Sequence, residues 1–173
     1  MKKISPLLIL LFSLIATPAQ ADFNAGVIAF ASGDYDKAFT TMQSLAETSD
    51  HGLAQYYLGM MYKKGQGVEQ DYKNAGKWLR KASEKNIPSA QYWLGDLYYK
   101  GKGLPKDYEY AYVWYSVGAS HKHLLSENAV NKAKKKLSEE ELGEADKLIT
   151  KYIKKYGPKK DVDPNEPIQI DNE

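Results

Sequence analysis

The chain repeats itself at an interval of 36 residues, and this limits its possible folds more than any other feature. Ala54-Gln55-Tyr56-Tyr57-Leu58-Gly59 returns as Ala90-Gln91-Tyr92-Trp93-Leu94-Gly95, and Gly65-x-Gly67 returns as Gly101-x-Gly103. Asp71-Tyr72, Ala75 and Trp78 return as Asp107-Tyr108, Ala111 and Trp114. A period of this length describes a stack of like units, each burying its apolar side against the next, rather than a single globular core. A shorter unit stands upstream: Gly33-Asp34-Tyr35-Asp36-Lys37-Ala38 parallels Asp71-Tyr72-Lys73-Asn74-Ala75 at an offset of 37. It reads as the degenerate first repeat that closes such an array.

Within each unit the apolar residues fall three and four apart, which is helical spacing. Leu53, Tyr57, Leu58, Met61 and Tyr62 share one face of a first helix, and Tyr72, Ala75, Trp78, Leu79 and Ala82 share one face of a second. Gly65 and Gly101 stand where the first helix ends and can adopt the left-handed conformation that satisfies its last carbonyls. Asp34, Asp71 and Asp107 stand where each second helix starts, as acceptors for its free N–H groups. Gly59 and Gly95 lie inside a helix, where glycine costs about 1 kcal/mol relative to alanine. Their recurrence at one phase predicts close backbone contact between paired helices, with Ala38, Ala75 and Ala111 as the small residues opposite.

At these residues the chain resembles the Sel1-like repeat family, a relative of the tetratricopeptide repeats. The pattern A-x-x-x-L-G-x-x-Y-x-x-G-x-G-x-x-x-D-Y-x-x-A-x-x-W is complete from Ala54 to Trp78 and from Ala90 to Trp114. The resemblance implies an all-α, right-handed solenoid of helix-turn-helix repeats. It also implies a protein–protein interaction scaffold or adaptor. If the array is similar to tetratricopeptide arrays, the first helices line a concave groove. The residues facing that groove are then Leu53, Tyr56, Met60, Lys63 and Lys64 in one unit, and Ser89, Tyr92, Asp96, Tyr99 and Lys100 in the next. Tyrosine and methionine suit interface anchors, yet tyrosines also pack between neighbouring units, and both readings stand for the 14 tyrosines here.

The first residues have the three parts of a secretory signal: Lys2 and Lys3, an apolar run from Ile4 to Ile15, and small residues ending in Ala19-Gln20-Ala21. The run is shorter than the ~20 residues of a spanning helix and contains Pro6. Cleavage is therefore expected between Ala21 and Asp22, giving a soluble periplasmic or secreted protein without an integral membrane segment. Of the 24 basic and 22 acidic residues, cleavage removes Lys2 and Lys3 and no acid, so the mature chain is formally neutral. Neither nucleic acid nor a strongly anionic partner is indicated by net charge. There is no cysteine, so export brings no disulfide and no thiol-linked lipid.

The expected organisation is a signal peptide over 1–21 and a repeat domain over 22–156. Its units lie at about 23–50, 51–86 and 87–120, followed by C-terminal helices within 121–156. Ser138 and Glu141 form a capping box, and Leu142, Ala145, Leu148, Ile149, Tyr152 and Ile153 make the apolar stripe of a closing helix over 139–156. Residues 157–173, with three prolines and five acidic residues, are expected to be a disordered tail.

No catalytic constellation emerges. His51, His121 and His123 have no metal-site spacing and read as adventitious surface histidines. Gly65-Gln66-Gly67 and Gly101-Lys102-Gly103 lack the Lys-Ser/Thr of a phosphate loop and read as turns. The acids Glu139 to Glu141 read as helix-start electrostatics. The lysines from Lys132 to Lys155 read as a solvated face or as a docking face for an anionic surface. The expectation is no enzyme, no metal and no cofactor. The partner is another protein, and the chain is a monomer or a weak homo-oligomer. The alternative is a cell-wall ligand binder or a β-lactamase-like envelope enzyme; the relatives described that way are rich in cysteine, which this chain lacks.

Overall fold

A computed structural model describes residues 18–159. The predicted leader, up to residue 17, and the predicted tail from residue 160 lie outside the described residues. Among the described residues there are eight α-helices and no strand: α1 (Pro18–Ser32), α2 (Tyr35–Thr48), α3 (Gly52–Lys64), α4 (Tyr72–Glu84), α5 (Pro88–Lys100), α6 (Tyr108–Ser120), α7 (Leu124–Lys134) and α8 (Glu139–Tyr156). The predicted cleavage point, between Ala21 and Asp22, falls inside α1.

Each helix packs on the one before it, from α1 through α7, which is the stacking expected of a helical repeat solenoid. The helix ends follow local chemistry. Asp34, Asp71 and Asp107 accept backbone N–H groups at the starts of α2, α4 and α6, and Gly65 and Gly101 close α3 and α5 with φ of 70° and 66°. Ser138 and Glu141 complete their capping box at the start of α8.

Ala38, Ala54, Leu58, Ala75, Ala90, Leu94 and Ala111 are fully buried, with Trp78 and Trp114 nearly so. A Cβ on Gly59 would stand 2.8 Å from Leu79 Cγ, and one on Gly95 would stand 2.8 Å from Tyr115 Cδ1 and 3.2 Å from the Ala111 carbonyl oxygen. These two glycines thus let α3 approach α4, and α5 approach α6, to backbone distance. The second glycine of each loop does something the sequence reading did not foresee. A Cβ on Gly67 would lie 2.2 Å from the Tyr35 carbonyl oxygen, and one on Gly103 2.2 Å from the Tyr72 carbonyl oxygen. Each Gly-x-Gly loop therefore reaches back onto the first turn of the preceding unit's second helix, so the turn is also a joint between units.

The closing helix α8 folds back. It lies along α6 and reaches α4, rather than extending the stack on α7. Tyr152 and Tyr156 pack on Trp114, with ring centroids 5.2 and 5.8 Å away. The Tyr156 carbonyl accepts hydrogen bonds from Gln91 Nε2 at 2.9 Å and from the His121 ring at 3.0 Å. Gln91 also donates to the Ser83 carbonyl at 3.1 Å. One buried glutamine thus ties the end of α8 to α4 and α5.

Candidate functional site

The helices α3, α5 and α7 run in the same direction along the face that α8 leaves uncovered. His123 and Tyr92 meet near the starts of α7 and α5, and Lys132 and Tyr99 meet near their ends. α5 is the middle of this face and carries its aromatic row.

Five of the seven residues expected at a partner groove reach the surface here. Leu53 is 41% exposed, and Tyr56, Lys63, Tyr92 and Tyr99 are half-buried. Burial pushes the ionisation of the Tyr56 hydroxyl up, against an opposing pull from the neighbouring Trp93 and Ser89. Tyr92 packs edge-on to Trp93 at 5.0 Å and lies against Tyr115 and His123. Burial, then the nearby Asp96 carboxylate, raises its pKa. Tyr99 meets Tyr108 edge-on at 5.1 Å and carries the Lys132 ammonium 4.6 Å from its ring centre.

Met60 and Asp96 do not open onto the groove. Met60 is buried with Leu94 and Leu97 in the larger core cluster, because this helical phase points into the seam between units rather than outward. Asp96 is also buried, with both carboxylate oxygens held by Lys100, one turn later, at 2.8 and 2.9 Å. The wider set from the same phases behaves similarly: Lys64 and Lys100 are exposed and Ser89 is half-buried.

Trp93 is the groove residue that the sequence reading passed over. Its ring is half-buried and the Lys63 ammonium sits 3.8 Å from its centre. The available signal was its isolation: Trp78 and Trp114 share one phase of the second helices, whereas Trp93 stands where the preceding unit has Tyr57. Lys63 is partly desolvated, which lowers its pKa, and Lys100, Lys64 and Lys102 add to the lowering against an opposing pull from Asp96.

The three histidines are not adventitious surface groups. His51 caps α3, its Nδ1 accepting the Ala54 N–H at 3.2 Å, and stacks on Phe23 at 4.6 Å. His121 holds the end of α8, and His123 Nδ1 lies 2.9 Å from the buried Ser126 hydroxyl. All three do structural work in turns, a role that chain spacing does not reveal. Among the described residues no group of histidines and carboxylates could hold a metal ion. No helix among them is long and apolar enough to cross a membrane.

The profile of the Sel1 repeat matches residues 52–87 and 88–123, which are α3 to α4 and α5 to α6 with their loops. Among solved structures, a protective antigen present in uropathogenic Escherichia coli strains and displaying an SLR fold is 33% identical, with a TM-score of 0.77, over 82% of this chain and 31% of its own. This chain therefore spans about a third of that protein's length. A Sel1 repeat protein from Oxalobacter formigenes is 30% identical, with a TM-score of 0.60, over 66% of this chain and 89% of its own. No curated protein matches the chain.

Proposed function

The chain belongs to the Sel1 repeat family, and on that premise we propose that it is an exported scaffold that holds a segment of another protein against α3, α5 and α7. Sel1 repeat proteins are in general scaffolds for protein–protein interaction, and their fold is typically non-enzymatic. The observation that carries the reading is the asymmetry of burial created by α8. That helix covers α6 and part of α4, while the opposite face keeps Tyr56, Tyr92, Trp93 and Tyr99 half-exposed in a row. Aromatic side chains that are ordered and still accessible give large contact area for little lost side-chain freedom. Export rests on the signal-like residues 1–21 and places the work of the scaffold in the periplasm or outside the cell.

Affinity capture from an envelope extract tests the groove, comparing the parent chain with a Tyr56→Ala, Tyr92→Ala, Tyr99→Ala variant of unchanged circular dichroism. A protein retained by the parent and lost by the variant supports the reading, and equal retention refutes it. Export has a separate test. Mass spectrometry of the protein recovered from the producing cells is expected to find Asp22 as its first residue, and an intact Met1 overturns that part.

A further inference from the structure

We infer that the partner segment is acidic: a stretch of protein whose aspartate or glutamate side chains are taken by the lysines at the C-terminal end of the groove, with an apolar anchor toward the opposite end on Tyr56 and Leu53. This rests on the groove reading above and adds the chemistry of the occupant.

The chain as a whole gives no hint of such a preference, since its mature charges balance. The imbalance is local. Because α3, α5 and α7 run in parallel, their last turns fall along one edge, with Lys63 and Lys64 on α3, Lys100 on α5, and Lys132 and Lys134 on α7. Lys102 follows in the loop after α5. Two acids lie on these three helices; the loops and helix starts that follow them carry Glu69, Asp71, Asp107, Glu109 and Glu139 to Glu141, of which Asp71, Asp107 and Glu141 are engaged in capping α4, α6 and α8. Asp96 is buried and already held by Lys100. Glu127 lies in the first turn of α7, at the opposite end, beside His123. The helix dipoles supply roughly half a negative charge at each C-terminus, less than the lysines gathered there.

Three of these lysines rest on aromatic rings instead of carboxylates: Lys63 on Trp93, Lys102 on Tyr72 and Lys132 on Tyr99. A cation over an aromatic face keeps its other N–H groups available, so a carboxylate arriving from solvent adds an ion pair without displacing the ring. Lys63 is also partly desolvated among other lysines, a condition that an added carboxylate relieves.

The same combination of lysines and aromatic rings suggests single-stranded nucleic acid, but one face of each ring already carries a lysine. Trp93 has Tyr92 at its edge and Lys63 on its face, and Tyr99 has Tyr108 and Lys132. Bases need open faces on which to stack. A carboxylate needs only the ammonium groups.

The test is fluorescence anisotropy with a labelled glutamate-rich peptide carrying a central phenylalanine, set beside its glutamine counterpart, an oligothymidylate and heparin. The parent chain is compared with a Lys63→Gln, Lys132→Gln variant, which leaves Lys100 on Asp96 so that the fold is kept. A second variant, Lys81→Gln, Lys155→Gln, removes two lysines that line a separate cavity with Asp50 and Glu84. The glutamate peptide is expected to bind, the glutamine peptide at least about tenfold more weakly, and the Lys63/Lys132 variant to lose about tenfold while the Lys81/Lys155 variant matches the parent. Binding is expected to weaken with added salt. Trp93 is the half-buried indole of the three, so the intrinsic fluorescence change on binding is expected to vanish in Trp93→Phe.

Equal affinity for both peptides, or undiminished binding by the Lys63/Lys132 variant, overturns the inference. Oligothymidylate or heparin binding as tightly as the peptide also overturns it, in favour of a general polyanion. A partner captured by the Lys63/Lys132 variant but lost by the tyrosine variant leaves the groove standing and removes only its acidic preference. A partner indifferent to both variants removes the groove itself.

Discussion

Replacing Gly103 by alanine isolates the joint between units, because the chain contains its own control. Gly33 and Gly103 both have positive φ, 84° and 70°, so alanine at either one meets the left-handed penalty of about 1–2 kcal/mol. At Gly33 the new methyl group would meet nothing within 4 Å. At Gly103 it would stand 2.2 Å from both the carbonyl carbon and oxygen of Tyr72 and 2.6 Å from the Lys73 nitrogen. These are backbone atoms in the first turn of α4, which Asp71 caps, and no side-chain rotation relieves them. Either the loop lifts away or that turn frays, which adds about 1–3 kcal/mol as overpacking does elsewhere. For a chain of this size each kcal/mol lowers Tm by about 2–4 °C, so Gly33→Ala is expected to cost about 2–8 °C and Gly103→Ala roughly twice as much. Circular dichroism melts, supported by urea midpoints read at constant m, measure both. Gly67→Ala is expected to follow Gly103→Ala, since its methyl group would meet the Tyr35 carbonyl. Equal losses at Gly33 and Gly103 would refute the claim that these loops are joints.

Gly59→Leu and Ala75→Leu are each expected to destabilise by about 1–3 kcal/mol, because Gly59 meets Leu79 where α3 approaches α4 and Ala75 is fully buried, and unchanged melts would sink that packing. Asp71→Ala is expected to lower Tm at neutral pH. Hydrogen bonds from Asn74 and Lys73 hold the Asp71 carboxylate below its ordinary value, so the contribution is present above about pH 4 and lost as the pH falls through the folded value, below which the difference between parent and variant closes. Burial likewise holds His123 below its ordinary value, with the opposite charge bookkeeping. The unfolded chain takes up a proton as the pH falls through about 6.5 while the folded chain does not, so stability declines from there down to the folded value. His123→Asn is expected to flatten that part of the pH profile of Tm; an unchanged slope would show that the ring titrates freely.

What could be read from the chain divides by distance along it. The N-caps at Asp34, Asp71 and Asp107, the left-handed Gly65 and Gly101, and the capping box at Ser138 depend on a few consecutive residues, and the repeat prints most of them twice. Gly59 and Gly95 were legible for the same reason, since a costly glycine that recurs at one helical phase needs a packing cause. The groove was legible only in part. A position in a repeat says which way a side chain starts, not what comes to cover it, and Met60 and Asp96 are covered by neighbours from the next unit or the next turn. Trp93 owes its role to Lys63, thirty residues earlier. The fold-back of α8 is longer in range still: it depends on Gln91 and His121 finding the Tyr156 carbonyl, and no local pattern announces that.

That fold-back has a mechanical consequence. Stacked repeats behave as springs, because each unit touches only its neighbours and small rotations accumulate along the stack. Here α8 is fastened to α6 by Trp114, to α5 by Gln91 and to the last turn of α4 through Ser83, so it bridges a junction that would otherwise bend. The contacts of α8 brace α4, α5 and α6, and α1 to α3 are not among the helices it fastens. A partner entering over α5 and α7 meets a surface already set in shape and spends little of its binding energy on ordering it. Leu53 and Tyr56, on α3, belong to the part of the stack that α8 does not brace.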